Sequence, residues 1–255
     1  MTYTLKLTQL LDKFEKSQSE VLTAVATLCA DTIEKRGLVH LFGSGHSVIP
    51  AMEAFPRYGS FVGLNPLYDP RLMWHNVLGP GGVRELLWLE RTEGYVEKLL
   101  EHEPLSSGDV IIIYSHSGLN AAGIEAAYYA KDRGLATVAV TSMFNAGRDV
   151  SHSKGKALHE ICDFVIDTGS PVEDAVIDVG WGRPLGGTST LIAGVVSHEI
   201  VTRTGAEMQK RGVVLPTFVS PTVPGASVSS NDEVFAAHAE YLHEARSRAL
   251  GQDSK

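Results

Sequence analysis

Two turns in the sequence carry residue types that could bind a phosphate group. The first, Gly43-Ser44-Gly45-His46-Ser47, follows the apolar run LVHLF, and the second, Ser115-His116-Ser117-Gly118-Leu119-Asn120, follows DVIIIY. Each turn combines glycine, which lets a ligand approach the backbone, with hydroxyls and with the amide donors that begin a helix. This combination fits a phosphate, although the same residues are also typical of ordinary helix caps and turns.

Neither turn has the spacing of a nucleotide site. The GxGxxG pattern of dinucleotide-binding turns is missing from both, and so is the GxxxxGK[ST] pattern of triphosphate-binding loops. A smaller phosphorylated ligand is therefore the better interpretation. A third apolar run, ATVAVTS, ends in Thr141-Ser142 and could add hydroxyls to the same site.

The elements around these turns predict a layered α/β fold. Apolar residues recur three or four apart from Leu7 to Ile33, which indicates one long amphipathic helix that Gly37 ends. Beyond it, helical segments alternate with five candidate strands, LVHLF, FVGLN, DVIIIYS, ATVAVTS and DFVIDTG. This alternation predicts a parallel sheet covered by helices on both faces. In such a sheet both turns lie at the carboxyl ends of strands, where ligands bind.

The remaining segments are less regular. Helices are expected after Asn120, between Gly187 and Thr204, and from Glu233 to Ala249. The region from Pro66 to Leu105 contains a charged, mostly helical piece, in which we interpret Glu90 and Glu93 as part of a solvated helix face. The prolines and serines between Leu215 and Asp232 favour an extended loop. His75 and His152 lie in loops that could face the site.

The order of these segments resembles the sugar isomerase (SIS) domain from about Thr8 to Val223. The resemblance rests on the GSGHS turn, DVIIIYSHSGLN, a strand ending VTS, HSKGKALHEICDFVIDTGSPVEDA and GGTSTLIAGVVSHEIV. More narrowly, SHSGLN, HSKGKALHE, VEDAVIDVG and PTFVSPTVPG are similar to a bacterial group of single-domain SIS proteins often labelled phosphoheptose isomerases. The resemblance implies an α/β fold, a three-layer α/β/α sandwich with a five-stranded parallel sheet of the flavodoxin-like type. It also implies one domain over 1–255, with a core of about 8–223 and a C-terminal helix at 233–249, usually in a homodimer that binds sugar phosphates.

Carried onto this sequence, the family's SxSGxT/S phosphate loop falls on Ser115, Ser117, Gly118 and Asn120, and its first-turn serine falls on Ser47. Asn120 departs from the family pattern, because it replaces a hydroxyl by an amide and could serve only as a helix N-cap. The full set of expected substrate-binding residues is Gly43, Ser44, Gly45, His46, Ser47, Ser115, His116, Ser117, Gly118, Asn120, Thr141 and Ser142.

The resemblance also suggests two catalytic residues. Isomerisation between aldose and ketose needs a base beside a carbonyl and an acid that moves protons between oxygens. Glu53 in AMEAFP is similar to a glutamate of the related etherases, whereas phosphoheptose isomerases carry theirs further along, where this chain has Pro56 and Arg57. His198 matches a histidine of phosphoheptose isomerases, although a lone histidine on a mostly apolar helix is more often structural.

These residues lead to one main functional hypothesis and two alternatives. The main hypothesis is a sugar-phosphate isomerase in which the turns bind the phosphate and Glu53 and His198 transfer protons. A lyase or etherase would depend mainly on Glu53. A non-catalytic sugar-phosphate sensor would bind the ligand and use neither residue.

The composition argues against several other classes of function. The chain has 255 residues and a formal net charge of -8 without a basic cluster, so we expect no nucleic-acid partner. The first residues do not resemble a signal peptide and no apolar run could span a bilayer, which predicts a cytoplasmic protein without membrane contact. Cys29 and Cys162 lie in apolar stretches, as reduced thiols do. Because no HxH, HExxH or Asp/His cluster has ligand spacing, we predict no metal and no other cofactor.

Overall fold

Five parallel strands form the central sheet of the protein, whose computed structural model describes residues 1–73 and 81–252. The strands are β1 Val39–Gly43, β2 Leu64–Leu67, β3 Val110–Tyr114, β4 Ala136–Thr141 and β5 Phe164–Asp167. Their order in the sheet, β2-β1-β3-β4-β5, is the flavodoxin-like order, in which the chain changes direction across the sheet between β1 and β3. All five strands predicted from the sequence are therefore present.

Eight α-helices of the described residues cover both faces of this sheet. They are α1 Tyr3–Glu34, α2 Val48–Ala54, α3 Gly82–Leu89, α4 Tyr95–Leu100, α5 Ala121–Asp132, α6 Leu158–Ile161, α7 Ser189–Lys210 and α8 Asp232–Gln252. Apolar side chains of α1, α2, α7 and α8 share one core with the sheet, and those of α3 to α6 share the other. The predicted three-layer α/β/α sandwich is confirmed.

The buried strand residues explain why the sheet needs helices on both faces. Along β3, Val110, Ile112 and Tyr114 belong to one core, whereas Ile111 and Ile113 belong to the other. Successive side chains of a strand point to opposite faces, so an uninterrupted apolar run is stable only when both faces are covered. Fully burying one such side chain contributes about 1.5 to 3 kcal/mol.

The second strand begins later than the sequence predicts. In the stretch FVGLN, Phe61 forms an isolated antiparallel bridge with Thr217. The amide of Phe218 donates to Ser60 at 2.8 Å, and the amide of Gly59 donates to Phe218 at 2.9 Å. The extended segment after Leu215 therefore occupies the partner position at residues 59–62, and parallel pairing with β1 starts at Leu64.

A small hairpin precedes α7 and was not predicted. Its strands, β6 Ala175–Ile177 and β7 Leu185–Gly187, pair antiparallel outside the main sheet. The three residues of β7 are exposed, and those of β6 are half-buried. The hydroxyl of Tyr3 on α1 donates to the carbonyl of Gly187, which ties the hairpin to the body of the domain.

A buried polar cluster joins α8 to the amino ends of the strands. Asp109 accepts hydrogen bonds from the Leu38 amide at 2.9 Å and from Arg248 of α8 at 3.3 Å. His40, which is fully buried, lies between Asp109 and Asn65, with ring nitrogens 3.2 and 3.0 Å from their side chains. Because Asn65 donates its amide hydrogen to Nδ1, the Nε2–H group of His40 donates to Asp109. The cluster lies away from the carboxyl ends of the strands.

Candidate functional site

The two turns leave the sheet side by side. In the register of β1 and β3, Gly43 lies opposite Tyr114. The residues that follow each of them therefore meet at the carboxyl edge of the sheet, where helix N-termini and loop hydroxyls converge in this class of fold.

A cavity of about 370 Å³ lies at this edge, between the two turns and the start of α7. The polar residues that line it comprise six with a hydroxyl group, two with an imidazole and one with a carboxylate, namely Ser47, Tyr114, Ser115, Thr168, Ser189, Thr190, His46, His116 and Asp174. Hydroxyls and imidazoles donate hydrogen bonds to phosphate and to sugar oxygens. Among the described residues, no lysine or arginine lines the cavity.

The first turn depends on two glycines. A Cβ atom at Gly43 would lie 2.1 Å from the carbonyl oxygen of Ser47, so no other residue fits there. Gly45 has a φ of +59°, in the left-handed region, and its amide donates to Leu72 at 2.7 Å. The glycines shape the turn, and His46 and Ser47 supply its cavity-facing side chains.

The second turn is closed by its own serines. Ser115 accepts a hydrogen bond from the Gly118 amide at 3.2 Å, and Ser117 accepts one from the Leu119 amide at 3.3 Å. Gly118 has a φ of +66°, and a Cβ atom there would lie 2.9 Å from the Thr141 hydroxyl. Ser115 lines the cavity, whereas Ser117 does not.

Glu90 links the two turns, which corrects its interpretation as part of a solvated helix face. It is only 8% exposed and accepts hydrogen bonds from the Ser44 hydroxyl at 3.0 Å and from the Asn120 amide at 2.9 Å. Burial raises the pKa of Glu90, against the opposing effects of Ser44 and Arg91. Glu93, three residues on, is exposed as expected and accepts two hydrogen bonds from Ser153.

Four of the twelve expected substrate-binding residues line the cavity, namely His46, Ser47, Ser115 and His116. The others stand behind it: the glycines and Ser117 shape the turns, and Ser44 and Asn120 bind Glu90. Thr141 and Ser142 do not offer their hydroxyls to the cavity, because these donate to the carbonyls of His116 and Ser170. His75 lies outside the described residues, and His152 lies in a different pocket beside Glu93.

Asp174 is a cavity residue that the sequence did not single out. Its Oδ1 atom accepts from the amides of Thr188 and Ser189 at 2.9 and 2.6 Å, and Oδ2 accepts from the Ser189 hydroxyl at 2.7 Å. A carboxylate is stabilised at this end of a helix by the free amides and the helix dipole. Ser189 and Thr190 belong to the Ser/Thr-led start of α7, the signal that could have placed them in the site.

Glu53 and His198 are in contact outside this cavity. Glu53 Oε1 lies 3.2 Å from His198 Nε2, and Arg57 forms an ion pair with Glu53 one turn further along. Arg57 Nη1 lies 3.4 Å from the same His198 nitrogen. Partial burial, together with the charge of Arg57, lowers the pKa of His198. Both side chains of the pair remain more than two-fifths exposed, so solvent screens this cluster.

Glu53 and Arg57 line a groove of about 930 Å³, and neither Glu53 nor His198 lines the smaller cavity. The groove is largely apolar, with walls from Ile49, Met52, Tyr58, Phe218, Pro221 and Phe235. Ser47 and Glu53 are six residues apart, which is about 9 Å along a helix axis. Helices α2 and α7 each contribute residues to the cavity and one member of the Glu53–His198 contact.

The described part of the chain, residues 1–73 and 81–252, holds no group of three or more His, Cys, Asp or Glu side chains placed to bind a metal ion. None of its helices combines the length and the apolar character needed to cross a membrane.

The family model of the SIS domain matches residues 2–142 of this sequence. The chain belongs to the SIS domain family. Relatives of this SIS protein include a UPF0309 protein of Oceanobacillus iheyensis, 30% identical over 94% of this chain and 97% of the relative. A UPF0309 protein of Thermoanaerobacter pseudethanolicus is 34% identical over 85% of this chain and 88% of the relative.

Solved structures similar to this SIS protein include two phosphoheptose isomerases. The enzyme from Neisseria gonorrhoeae has a TM-score of 0.54 at 15% identity, over 80% of this chain and 95% of the other. The enzyme from Francisella tularensis has a TM-score of 0.51 at 13% identity, over 79% of this chain and 94% of the other. At this level of identity the likeness shows the fold alone.

Proposed function

We propose that this SIS protein is an enzyme that binds a sugar phosphate and isomerises it between the aldose and the ketose. The observation that carries the proposal is the contact of Glu53 with His198 at 3.2 Å, on two helices that both begin at the hydroxyl-lined cavity. We further propose that it acts in the cytoplasm as a homodimer of single-domain chains, as its resemblance to the family implies.

The contacts of the pair favour the protonation states that isomerisation needs. Arg57 stabilises Glu53 as a carboxylate, which can take the proton from the carbon next to the carbonyl and return it to the neighbouring carbon. The lowered pKa of His198 favours a neutral imidazole, which can both donate to and accept from the two sugar oxygens. From aldose to ketose, one proton moves from C2 to C1 and one moves from the C2 hydroxyl to the C1 oxygen, so the reaction consumes no co-reactant.

The separation of the two pockets suits an extended substrate. The phosphate would bind the cavity hydroxyls of Ser47 and Ser115, and the reacting carbons would lie toward Glu53, about 9 Å further along α2. An open-chain sugar phosphate of six or seven carbons is of comparable length. The proposal agrees with the activity of the phosphoheptose isomerases named above, which share the fold.

A non-catalytic sugar-phosphate sensor is the second candidate. It is favoured by one observation, that Glu53 lines the apolar groove and is paired with Arg57, while the cavity has a separate lining. In this case the cavity would bind the ligand and the Glu53–His198 contact would only hold α2 against α7.

A ligand screen followed by NMR tests the proposal. Hexose, heptose, pentose and N-acetyl-amino-sugar phosphates would be screened by thermal shift, where ligand at 100 times its Kd adds about 2.7 kcal/mol of stability. Each stabilising ligand would then be incubated in D2O. An isomerase converts it to the ketose or aldose and introduces deuterium next to the carbonyl, whereas an etherase releases an acid from the sugar.

Variants connect the activity to the pair. Glu53→Gln and His198→Gln should each reduce turnover by about 100-fold or more while the ligand still binds. Glu199→Gln is the matched control, because Glu199 is adjacent in sequence but pairs with Arg203 at 2.7 Å. Binding without conversion or deuterium exchange would favour the sensor. If no sugar phosphate stabilises the protein, both candidates are rejected.

A further inference from the structure

The start of α7 carries an apolar arm that the rest of the chain leaves uncovered. This arm, residues 175–187, is the hairpin of β6 and β7, whose strands pair with each other outside the main sheet. Trp181 at its tip is 78% exposed, and Val179 and Leu185 are also exposed. A group of exposed apolar side chains, in contrast to a single one, indicates an interaction site.

The groove beside the Glu53–His198 contact is uncovered in the same way. Met52, Tyr58, Val228 and Phe235 line it and are 45 to 79% exposed. Glu53 lines the same groove, so the proposed proton-transfer pair faces water, which screens its charges. Exclusion of water strengthens the electrostatic interactions within a site. A cover over the groove would therefore act on this pair.

The outward face of α7 joins the arm to the groove. The arm ends at Gly187, just before α7 begins, and His198 lies nine residues after Ser189, about 14 Å along the helix axis. Between them, Leu191 is 49% exposed, and a Cβ atom at Gly194 would have no neighbour within 4 Å. A second helix can therefore approach α7 closely at Gly194.

A two-fold axis at Gly194 would bring the arm of one chain to the groove of another. In an antiparallel pair of α7 helices that cross there, His198, four residues after Gly194, lies beside the partner's Thr190, four residues before it. The arm of the partner leaves α7 at that end and is thereby placed beside the groove. Such a contact is isologous, because each chain both gives and receives an arm.

The charges on the two surfaces are complementary. Arg183, at the tip of the arm, has a side chain that is 82% exposed. It lies 3.3 Å from Glu173, but an exposed ion pair of this kind contributes little and can change partners. Asp232 and Glu233 are exposed and acidic, and they directly follow Asn231, which lines the groove. A positive arm tip therefore meets an acidic rim.

The exposed apolar area also agrees with a second copy of the chain as the occupant. An aromatic side chain offers about 150 to 250 Å², so the exposed parts of Trp181, Tyr58 and Phe235 amount to roughly 300 to 500 Å² per chain. A stable interface buries about 800 Å² per partner. These three side chains alone thus supply roughly half of the area that a stable dimer needs.

We propose that the arm of one chain covers the groove of a second copy, with the partner's Trp181 packed against Tyr58 and Phe235. In this dimer the arm of the other chain shields the Glu53–His198 pair from water. The interface follows from the surfaces described above, whereas its effect on catalysis rests on the proposed function. The phosphate cavity, in contrast, is lined within one chain.

Sedimentation equilibrium of the full chain tests the interface without any ligand. We expect the wild type to be a dimer at micromolar concentration. Trp181→Ser should raise the Kd of the dimer by about 30-fold or more, and Gly194→Glu should dissociate it by placing two carboxylates together at the axis. Trp88→Ser and Leu87→Glu are the matched controls, because both side chains are exposed but lie on α3, in the opposite layer.

Crosslinking between two kinds of chain tests the register. Trp181→Cys chains mixed with Phe235→Cys chains should be joined by a short bismaleimide, whereas Trp181→Cys chains mixed with Leu87→Cys chains should not. The native thiols react slowly, because Cys29 is buried and burial raises the pKa of Cys162 to about 12.

Three results would overturn the interface. They are a wild type that stays monomeric at high micromolar concentration, a dimer that persists in both Trp181→Ser and Gly194→Glu, and a mixture of Trp181→Cys and Phe235→Cys chains that is not crosslinked. Each of them leaves the proposed function to be decided by the ligand screen. A dimer that behaves as expected but binds no sugar phosphate would instead reject the proposed function and leave the interface standing.

The effect on catalysis has its own test. Where the wild type converts a sugar phosphate, monomeric Gly194→Glu should still be stabilised by that ligand, because the cavity belongs to one chain. Its turnover should fall by about tenfold or more, since water then reaches the Glu53–His198 pair. Full turnover by the monomer would show that the arm does not serve the reaction.

Discussion

The hydroxyl of Ser189 donates to the carboxylate of Asp174 at 2.7 Å, at the point where the hairpin meets α7. The same carboxylate accepts from two amides at the start of that helix. Asp174 has a φ of +52°, a left-handed conformation that residues other than glycine rarely adopt. Three hydrogen bonds thus hold a locally unfavourable backbone at the wall of the cavity.

Replacing Asp174 separates the capping role from the backbone requirement. Asp174→Ala should lower the free energy of unfolding by about 1 to 2 kcal/mol, because α7 loses its cap and alanine disfavours the left-handed region. Asp174→Asn should cost less, since asparagine tolerates this φ and keeps one acceptor oxygen. Urea denaturation of the two variants measures the difference, and equal stability of Asp174→Ala and the wild type would refute the capping role.

Glu90 gives a prediction about the link between the turns. Glu90→Ala should cost about 1 to 3 kcal/mol, because Ser44 and Asn120 lose a shared, buried acceptor. Glu90→Gln should cost less than 1 kcal/mol at pH 7, since glutamine can accept from Asn120 and donate to Ser44. Urea denaturation of the two variants at pH 7 measures the difference in their free energies of unfolding.

The sign of the pH dependence provides a further check on Glu90. A raised carboxyl pKa means that the folded state holds the proton more tightly than the unfolded state. The contribution of Glu90 to the free energy of unfolding therefore falls as pH rises from the pKa of the unfolded chain, about 4.3. The stability of Glu90→Gln relative to the wild type should therefore rise with pH through this window, so that the cost of the substitution shrinks. A cost that grows with pH would mean that ionised Glu90 is favoured by its neighbours.

The sequence predicted the sheet because local patterns determine it. Each strand is an apolar, β-branched run between a turn and a helix. Because such a run is apolar on both sides, it predicts that helices cover both faces of the sheet. The hairpin at 175–187 escaped prediction because its strands have only three residues and contain no comparable apolar run. The start of β2 was misplaced because the partner of Phe61 is Thr217, far away in the sequence.

The candidate site was only partly predictable for the same reason. The turns that carry His46, Ser47, Ser115 and His116 could be recognised, because residue type and position after a strand suffice for that. Whether a hydroxyl faces the cavity or the backbone depends on contacts that a sequence does not show, as Thr141 demonstrates by donating to a carbonyl. Glu90 was misjudged because its partners are 46 and 30 residues away.

The buried cluster around Asp109 should control acid stability. Burial pushes the pKa of Asp109 upward, but His40, the Leu38 amide and Arg248 outweigh it and leave the pKa below its ordinary value. A lowered carboxyl pKa adds stability above the unfolded value of about 3.9, and this stability is lost as pH falls through the folded value. Asp109→Asn should cost about 3 kcal/mol at pH 7, and the cost should shrink as pH falls below 4.

Urea denaturation between pH 3 and pH 7 measures this change in cost. Asp12→Asn, at an exposed position of α1, is the matched control and should stay within about 0.5 kcal/mol of the wild type. A cost for Asp109→Asn that does not vary with pH would show that shape, and not charge, explains its effect.

The pKa of His198 predicts how activity depends on pH. Burial and the nearby Arg57 lower this pKa, so the imidazole stays neutral to a pH below its ordinary value of about 6.5. If neutral His198 transfers the proton, kcat/KM should fall only below pH 6.5. Arg57→Gln removes the repulsion and should move this fall to higher pH, while Glu199→Gln should leave it unchanged. An NMR titration of the His198 ring should show the same upward shift of its pKa in Arg57→Gln. A lower pKa of His198 in this variant would instead show that Arg57 favours the imidazolium through Glu53.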